Sequence, residues 1–460
     1  MVNRLDASAW RPMHTRIAMA LGIGWMLDAF EVQIIGSVIP GIQQEFGLDS
    51  TQSVMINIVW FGGIALGAIG FGYLADRIGR KKLFVATLIL YSVAAIATAA
   101  APDFTWFIIF RFITALGIGG EYSAITSAIA EFTPARNRGL SNGLVMTFWA
   151  VGGILASLVS IVIITAFGLS WRYTLLFAVI SALYGLLARR LIPESPRWLA
   201  SKGRLEEADA VVTEITGVSS PGGYSDIVDT STGRSRFREL WANYRGRLFF
   251  GMALDFSEAA GYYGLFTAMS ILVFSASTGS VPVDDGVLPV YFLIANFGAL
   301  AGGVLVSFAL DRIGRKPTVT FSYLAAALSM IGCAVAAGTG SATIVLVAFT
   351  VAAFFATCAW VSAYPTFSEL FPTHLRATGI GASVAVGRVG AIIGQVVLAV
   401  TAATWGVAVT FGILGLFWLI GVAAGVIWWK YGTEARGVSL EDLVNARENV
   451  SAGEMSTRNY

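Results

Sequence analysis

Long apolar runs with few charges follow one another along the chain. They lie near residues 17–40, 52–75, 82–101, 104–130, 139–166 and 171–191, then near 246–275, 286–310, 317–337, 342–369, 377–403 and 406–430. A membrane-spanning helix needs ~20 consecutive apolar residues, and each run supplies about that length. The runs are continuous rather than alternating and are rich in Leu, Ala, Gly and Phe, unlike the strands of a transmembrane barrel. The pattern predicts an all-α membrane protein of twelve transmembrane helices in two six-helix bundles. The first run carries Asp28 and Glu31 and is followed by no small-residue cleavage signal, so it reads as a retained helix rather than a signal peptide.

Composition points the same way. With 460 residues, 56% of them hydrophobic and 13% charged, and a mean hydropathy of +0.73, too few polar side chains remain to coat a soluble core. Every Lys and Arg except Arg111, Arg172 and Arg388 falls at the N-terminus, after spans 2, 4, 8 and 10, in the middle segment or in the tail. Basic residues accumulate in cytoplasmic loops. Both termini are therefore expected in the cytoplasm, with the chain a multi-pass protein of the cell (inner or plasma) membrane. A net charge of +2 gives no nucleic-acid footprint, and the basic clusters read as topology signals and lipid-headgroup contacts. Cys333 and Cys358 lie within spans without metal-ligand spacing, and His14 and His374 are far apart in sequence. No nucleotide loop, metal cluster or nucleophile with a base is visible, so an enzyme is not indicated.

The chain repeats itself. Gly63, Gly67, Asp76, Arg77, Gly79, Arg80 and Lys81 recur 235 positions later as Gly298, Gly302, Asp311, Arg312, Gly314, Arg315 and Lys316. Glu131, Pro134 and Arg138 recur 238 later as Glu369, Pro372 and Arg376. This divides the chain into an N-terminal bundle (1–191), a cytoplasmic linker with short helices (192–245), a C-terminal bundle (246–430) and a cytoplasmic tail (431–460). The Gly/Ser-rich stretch 217–235 reads as a flexible tether that lets the halves move against each other.

Seven acidic or basic residues sit inside the spans away from their ends: Asp28, Glu31, Arg111, Glu121, Asp255, Glu258 and Arg388. Each costs at least ~2.5–3.5 kcal/mol at mid-depth, so together they imply a central polar pathway. Asp28 and Glu31, three apart on one helix face, form a pair able to load and release a proton. Glu121 lies nearly three turns beyond Arg111 on roughly the same face. Arg111 is placed to hold a deprotonated carboxylate, and protonation of that partner would free it. Arg388, among small residues, suits an anionic substrate, since a guanidinium grips a carboxylate through two parallel hydrogen bonds. Trp149, Tyr262, Tyr263, Trp360 and Tyr364 could wall an apolar ring. Blander readings stand beside these: Asp28 and Arg111 as a static packing network, Arg388 as mere neutraliser of Asp255 or Glu258, and the aromatics as plain packing. The LD-x-x-E of Leu27 to Glu31 recurs from Leu254 to Glu258. That second copy begins eight residues after Arg247 and is compatible with gating as well as binding.

Several of these segments resemble a known family. The loop from Gly72 to Lys82, with Asp76, Arg77, Gly79 and Arg80, resembles the signature between helices 2 and 3 of the major facilitator superfamily. Leu310 to Lys316 resembles its second copy, and the segments Pro193 to Trp198 and Thr433 to Asp442 look like motifs of its sugar-porter and organic-ion branches. The tail lacks the usual Pro before Glu434. Span 7 carries Ser257, Glu258 and Gly261 where sugar porters have paired glutamines, which weakens a hexose reading. Asp28 to Glu31 is similar to the acidic motif of aromatic-acid and niacin-type proton symporters and of synaptic-vesicle-2-related transporters. Gly387, Arg388 and Gly390 look like the arginine motif of organic-anion carriers, and Gly119 to Tyr122 like metabolite symporters. The resemblance implies rocking of two bundles around a midplane site. It also implies cytoplasmic latches built from Asp76, Arg80, Glu131, Arg138, Asp311, Arg315, Glu369 and Arg376. The expectation is proton-coupled symport of a small organic anion, an aromatic or other monocarboxylate. The proton couples at Asp28, Glu31 or Glu121, with no cofactor; the partners are the substrate, protons and the bilayer, with no nucleic acid, and the carrier is a monomer. Sugar or polyol uptake, organic-cation export and a transporter-shaped nutrient sensor remain as alternatives.

Overall fold

A computed structural model describes residues 4, 5, 7–218, 236–274, 280–284, 286–434 and 436, and these residues are helical apart from short connections. The first half comprises α1 (Pro12–Phe46), α2 (Ser50–Ile78), α3 (Arg80–Ala99), α4 (Phe104–Phe132), α5 (Arg138–Ser160), α6 (Arg172–Leu175) and α7 (Ala178–Leu191). Short helices α8 (Pro196–Ser201), α9 (Leu205–Thr216) and α10 (Arg236–Asn243) occupy the middle segment. The second half comprises α11 (Arg245–Thr267), α12 (Leu288–Ile313), α13 (Arg315–Ala337), α14 (Ala342–Glu369), α15 (Thr373–Trp405) and α16 (Val407–Tyr431). Most of the tether, 219–235, and the tail from 437 onward lie outside the described residues.

Among the described residues, ten helices are long and apolar enough to cross a membrane. The other two spans are the sixth, interrupted between α6 and α7, and the seventh, where Asp255 and Glu258 dilute the apolar character of α11. Both still run the same course as their neighbours, which completes the two six-helix bundles.

Local chemistry sets the corners. Asp103 caps α4 by accepting from the Trp106 amide at 3.0 Å. Gly79 and Gly314 turn the chain sharply between α2 and α3 and between α12 and α13, at φ 99° and 105°, a region that a side chain at Cβ disfavours. A carboxylate seals the helix start beyond each turn. Glu194 accepts from the Lys81 amide at 3.3 Å, and Glu434 from the Arg315 and Lys316 amides at 2.9 and 3.1 Å. Both exploit the positive end of a helix.

Glycines bring helix axes close. A Cβ at Gly67 would strike the Leu116 carbonyl of α4, and one at Gly302 the Phe354 carbonyl of α14. The two halves meet where α5 lies on α12 and α2 on α15. Here Gly143 faces Ser307 and Gly303 faces Thr147, so small residues form the seam.

Candidate functional site

With twelve spans, the first and last described segments and the short middle helices lie at one face. That terminal face is sealed. Arg315 Nη2 and Nε bind Glu369 at 2.8 and 3.0 Å, and Arg315 Nη1 binds Asp311 at 2.9 Å. Asp311 also accepts from the Leu140 amide of the other half at 2.8 Å, and Asn142 reaches Ser368 at 3.4 Å. Arg376 donates to the carbonyls of Ser368 and Phe371, and Arg138 is buried at the start of α5. The side chains of Asp76, Arg80 and Glu131 lie outside the described residues.

The opposite face holds a cleft of about 60 Å³ between the halves. Its walls include Gln33, Asn57, Tyr262, Tyr263 and Thr267, and Arg111 and Trp60 reach into it from α4 and α2. Such a space admits a few waters, so a larger ligand requires the halves to part.

Arg111 sits with its guanidinium carbon 3.7 Å from the centre of the Trp60 ring. It is 1% exposed, and its Nε and Nη1 make no hydrogen bond within the protein. Glu31 is its electrostatic partner, yet both Glu31 oxygens are buried without a hydrogen bond. Asp28 points elsewhere: Glu121 and Tyr91 face it from α4 and α3, although neither Asp28 oxygen closes a hydrogen bond of good geometry. The closest acidic partner of Asp28 is thus across the bundle, not its helix neighbour Glu31. Thr87 ties Glu121 down, with Oγ1 3.2 Å from Glu121 Oε1 and 3.0 Å from the Leu83 and Phe84 carbonyls.

In the other half, Asp255 accepts from the Tyr364 hydroxyl at 3.2 Å, and Arg388 Nη2 donates to the same hydroxyl oxygen at 3.4 Å. Glu258 lies 2.8 Å from the Tyr323 hydroxyl. The second acidic copy therefore gathers around Arg388, away from the Arg315 and Glu369 latch. Arg388 lies 5.4 Å from the ring centre of Tyr263 and 5.8 Å from that of Trp360.

A column of rings joins the halves. Trp25 meets Trp149 at 5.3 Å, Trp149 stacks on Trp360 at 5.4 Å, and Trp360 stacks on Tyr364 at 5.3 Å. Tyr262 leans on Trp360 at 5.2 Å. Every aromatic side chain singled out from the sequence belongs to this column or the cleft wall.

Sequence reasoning missed Tyr91, Tyr323, Trp60 and the polar pair Thr267 and Gln395, joined at 3.1 Å. Tyr91 lies 12 residues after Gly79 and Tyr323 9 after Gly314, three positions out of register, so the repeat did not point to them.

Two helical bundles closed at one face, cleft at the other and lined inside with buried charge define a multi-pass secondary transporter of a small metabolite. The chain belongs to the sugar (and other) transporter family, whose description matches residues 19–445. It is 32% identical over 451 residues to the niacin transporter NiaP of Acinetobacter baylyi, covering 96% of this chain and 99% of that one. It is 28% identical to the inner membrane metabolite transport protein YgcS of Escherichia coli, covering 95% of each. The fold matches the major facilitator superfamily proton:xylose symporter XylE bound to 6-bromo-6-deoxy-D-glucose, with a TM-score of 0.75 at 20% identity over 94% of this chain and 98% of that one.

Proposed function

We propose that this carrier imports a small monocarboxylate with an aromatic or apolar body together with protons, from an outward cleft, with both termini in the cytoplasm of a cell-membrane carrier. The observation that carries this reading is Arg111, a buried cation facing the cleft with hydrogen-bonding nitrogens left over. A carboxylate would satisfy those nitrogens through a charge-assisted pair, while Tyr262 and Tyr263 offer ring faces beside it.

Glu31 competes for the same guanidinium. When Glu31 is ionised it neutralises Arg111; once protonated it releases Arg111 to the substrate. Anion binding thereby favours proton binding, which is coupling in the thermodynamic sense. Glu121, wholly buried, faces Asp28 and accepts from the Thr87 hydroxyl, which supports it as a second proton holder in this half. The likeness to a niacin transporter supports a pyridine carboxylate as the first substrate to try.

The test is uptake of labelled nicotinate into proteoliposomes. An inward proton gradient should drive accumulation, and Glu31→Gln should still bind nicotinate but lose dependence on the gradient. Accumulation that survives collapse of the gradient would overturn proton coupling. Competition by amines or sugars, without competition by benzoate, would overturn the anion.

A further inference from the structure

The proton holders of the first half leave two buried acids unexplained. Asp255 and Glu258 are wholly inside the protein, one helical turn apart on α11. The ionisable groups facing them are Arg388 from α15, Tyr364 from α14 and Tyr323 from α13. From α16 the Phe417 and Trp418 carbonyls and the Gly421 amide all meet Ser257.

The Tyr323 hydroxyl donates toward the Leu254 carbonyl at 3.0 Å and Glu258 Oε2 at 2.8 Å. On the other side the donors run from the Arg388 cation to the Tyr364 oxygen and from the Tyr364 hydroxyl to Asp255 Oδ1. Asp255 is thus the acid joined to the cation, and since one guanidinium balances one negative charge, the buried pair is neutralised with Asp255 ionised and one proton on Glu258. The resting cluster is neutral: one guanidinium, one carboxylate and one carboxylic acid.

An anion that takes Arg388 breaks this balance. Its carboxylate would replace Asp255 as the counter-charge, leaving Asp255 ionised in a dry interior beside a neutral Glu258 and without its cation. Burying an unpaired charge is strongly disfavoured. An added proton from the aqueous cleft restores neutrality by forming an O–H bond on the Asp255 carboxylate. Asp255 Oδ2 and Glu258 Oε1, buried with no hydrogen-bond partner, are the oxygens left to receive and share it.

We propose that Asp255 and Glu258 form a second proton site, holding one proton when Arg388 is empty of substrate and two when an anion occupies it. This rests on the symport reading, and gives it a stoichiometry. As the anion leaves Arg111 for Arg388, Glu31 recovers its cation and releases its proton while Asp255 takes one up, so one proton accompanies each monocarboxylate and no net charge crosses.

Calorimetry of nicotinate binding to the purified full-length carrier, in two buffers of different ionisation heat, counts protons taken up on binding. The second assay is the proton-to-anion ratio in proteoliposomes, read from the balance of pH gradient and membrane potential at which net flux halts. The intact carrier should show a ratio of one and no response to membrane potential, and D255N/E258Q a ratio below one with uptake opposed by an inside-negative potential. Should the double variant fail to transport, its proton uptake on binding must fall below that of the intact carrier. A ratio of one, or an unchanged proton uptake on binding, in D255N/E258Q overturns the second site and leaves the first-half coupling standing. No proton uptake and no gradient dependence in the intact carrier overturns the symport reading itself.

Discussion

Removing Arg315 gives the most direct measure of what holds the terminal face shut. Its guanidinium is 2% exposed and its partner Glu369 1%, and the pair is joined by two hydrogen bonds of 2.8 and 3.0 Å. In Arg315→Ala, Glu369 becomes a buried carboxylate with its partner gone, a loss of ~3–5 kcal/mol. The penalty applies to the closed conformation alone, because opening the face lets water reach Glu369. Asp311 is 21% exposed and keeps its bond to the Leu140 amide, so it adds little. The balance between conformations should therefore shift by roughly two to four powers of ten toward opening at the terminal face. Thiol labelling reads this out in a background with Cys333 and Cys358 replaced. A Ser368→Cys reporter at the seam should become reactive in Arg315→Ala, while a Ser270→Cys reporter in the cleft becomes protected. Adding Glu369→Leu removes the orphaned charge and should restore the original pattern. Labelling rates that stay within roughly threefold at both reporters, in a folded carrier, would refute the argument.

Two further outcomes follow from the packing and the cleft. Gly302→Ala drives a Cβ into the Phe354 carbonyl and should cost ~1–3 kcal/mol, seen as a lower Tm in detergent. Gly412→Ala, where a Cβ meets open space, should instead hold or raise Tm through helix propensity. Trp60→Leu removes the ring under Arg111, a contact worth up to ~2 kcal/mol when desolvated, and should raise the nicotinate KM by roughly tenfold in uptake assays.

The spans were legible because a bilayer forces ~20 apolar residues into each helix, a constraint that acts on linear sequence. The turns at Gly79 and Gly314 were legible too, since both copies carry glycine where the backbone adopts positive φ. Partnership across helices was not. Spacing places Asp28 and Glu31 on one face, but it does not say that Asp28 looks to Glu121 and Glu31 to Arg111; that depends on how α1, α3 and α4 pack in rotation and depth. Trp60 was hidden for the same reason. In a membrane span a tryptophan reads as packing until a guanidinium is found 3.7 Å above it. The sixth span gave no warning of its break, because neither Gly nor Pro lies near Leu176.

The two arginines are unequal in reach, and this sets an order of events. Arg111 borders the open cleft, whereas Arg388 is wholly buried behind Tyr263 and Trp360. An anion entering from the cleft meets Arg111 before it can meet Arg388. Trp360 is wedged between Trp149 of the first half and Tyr364 of the second, so opening a path to Arg388 disturbs the column that spans the seam. The same rearrangement that hands an anion to Arg388 must therefore shift one bundle against the other. On the proposed symport reading, substrate transfer and the change of access are one step, and the acids beside each arginine keep that step from proceeding without protons.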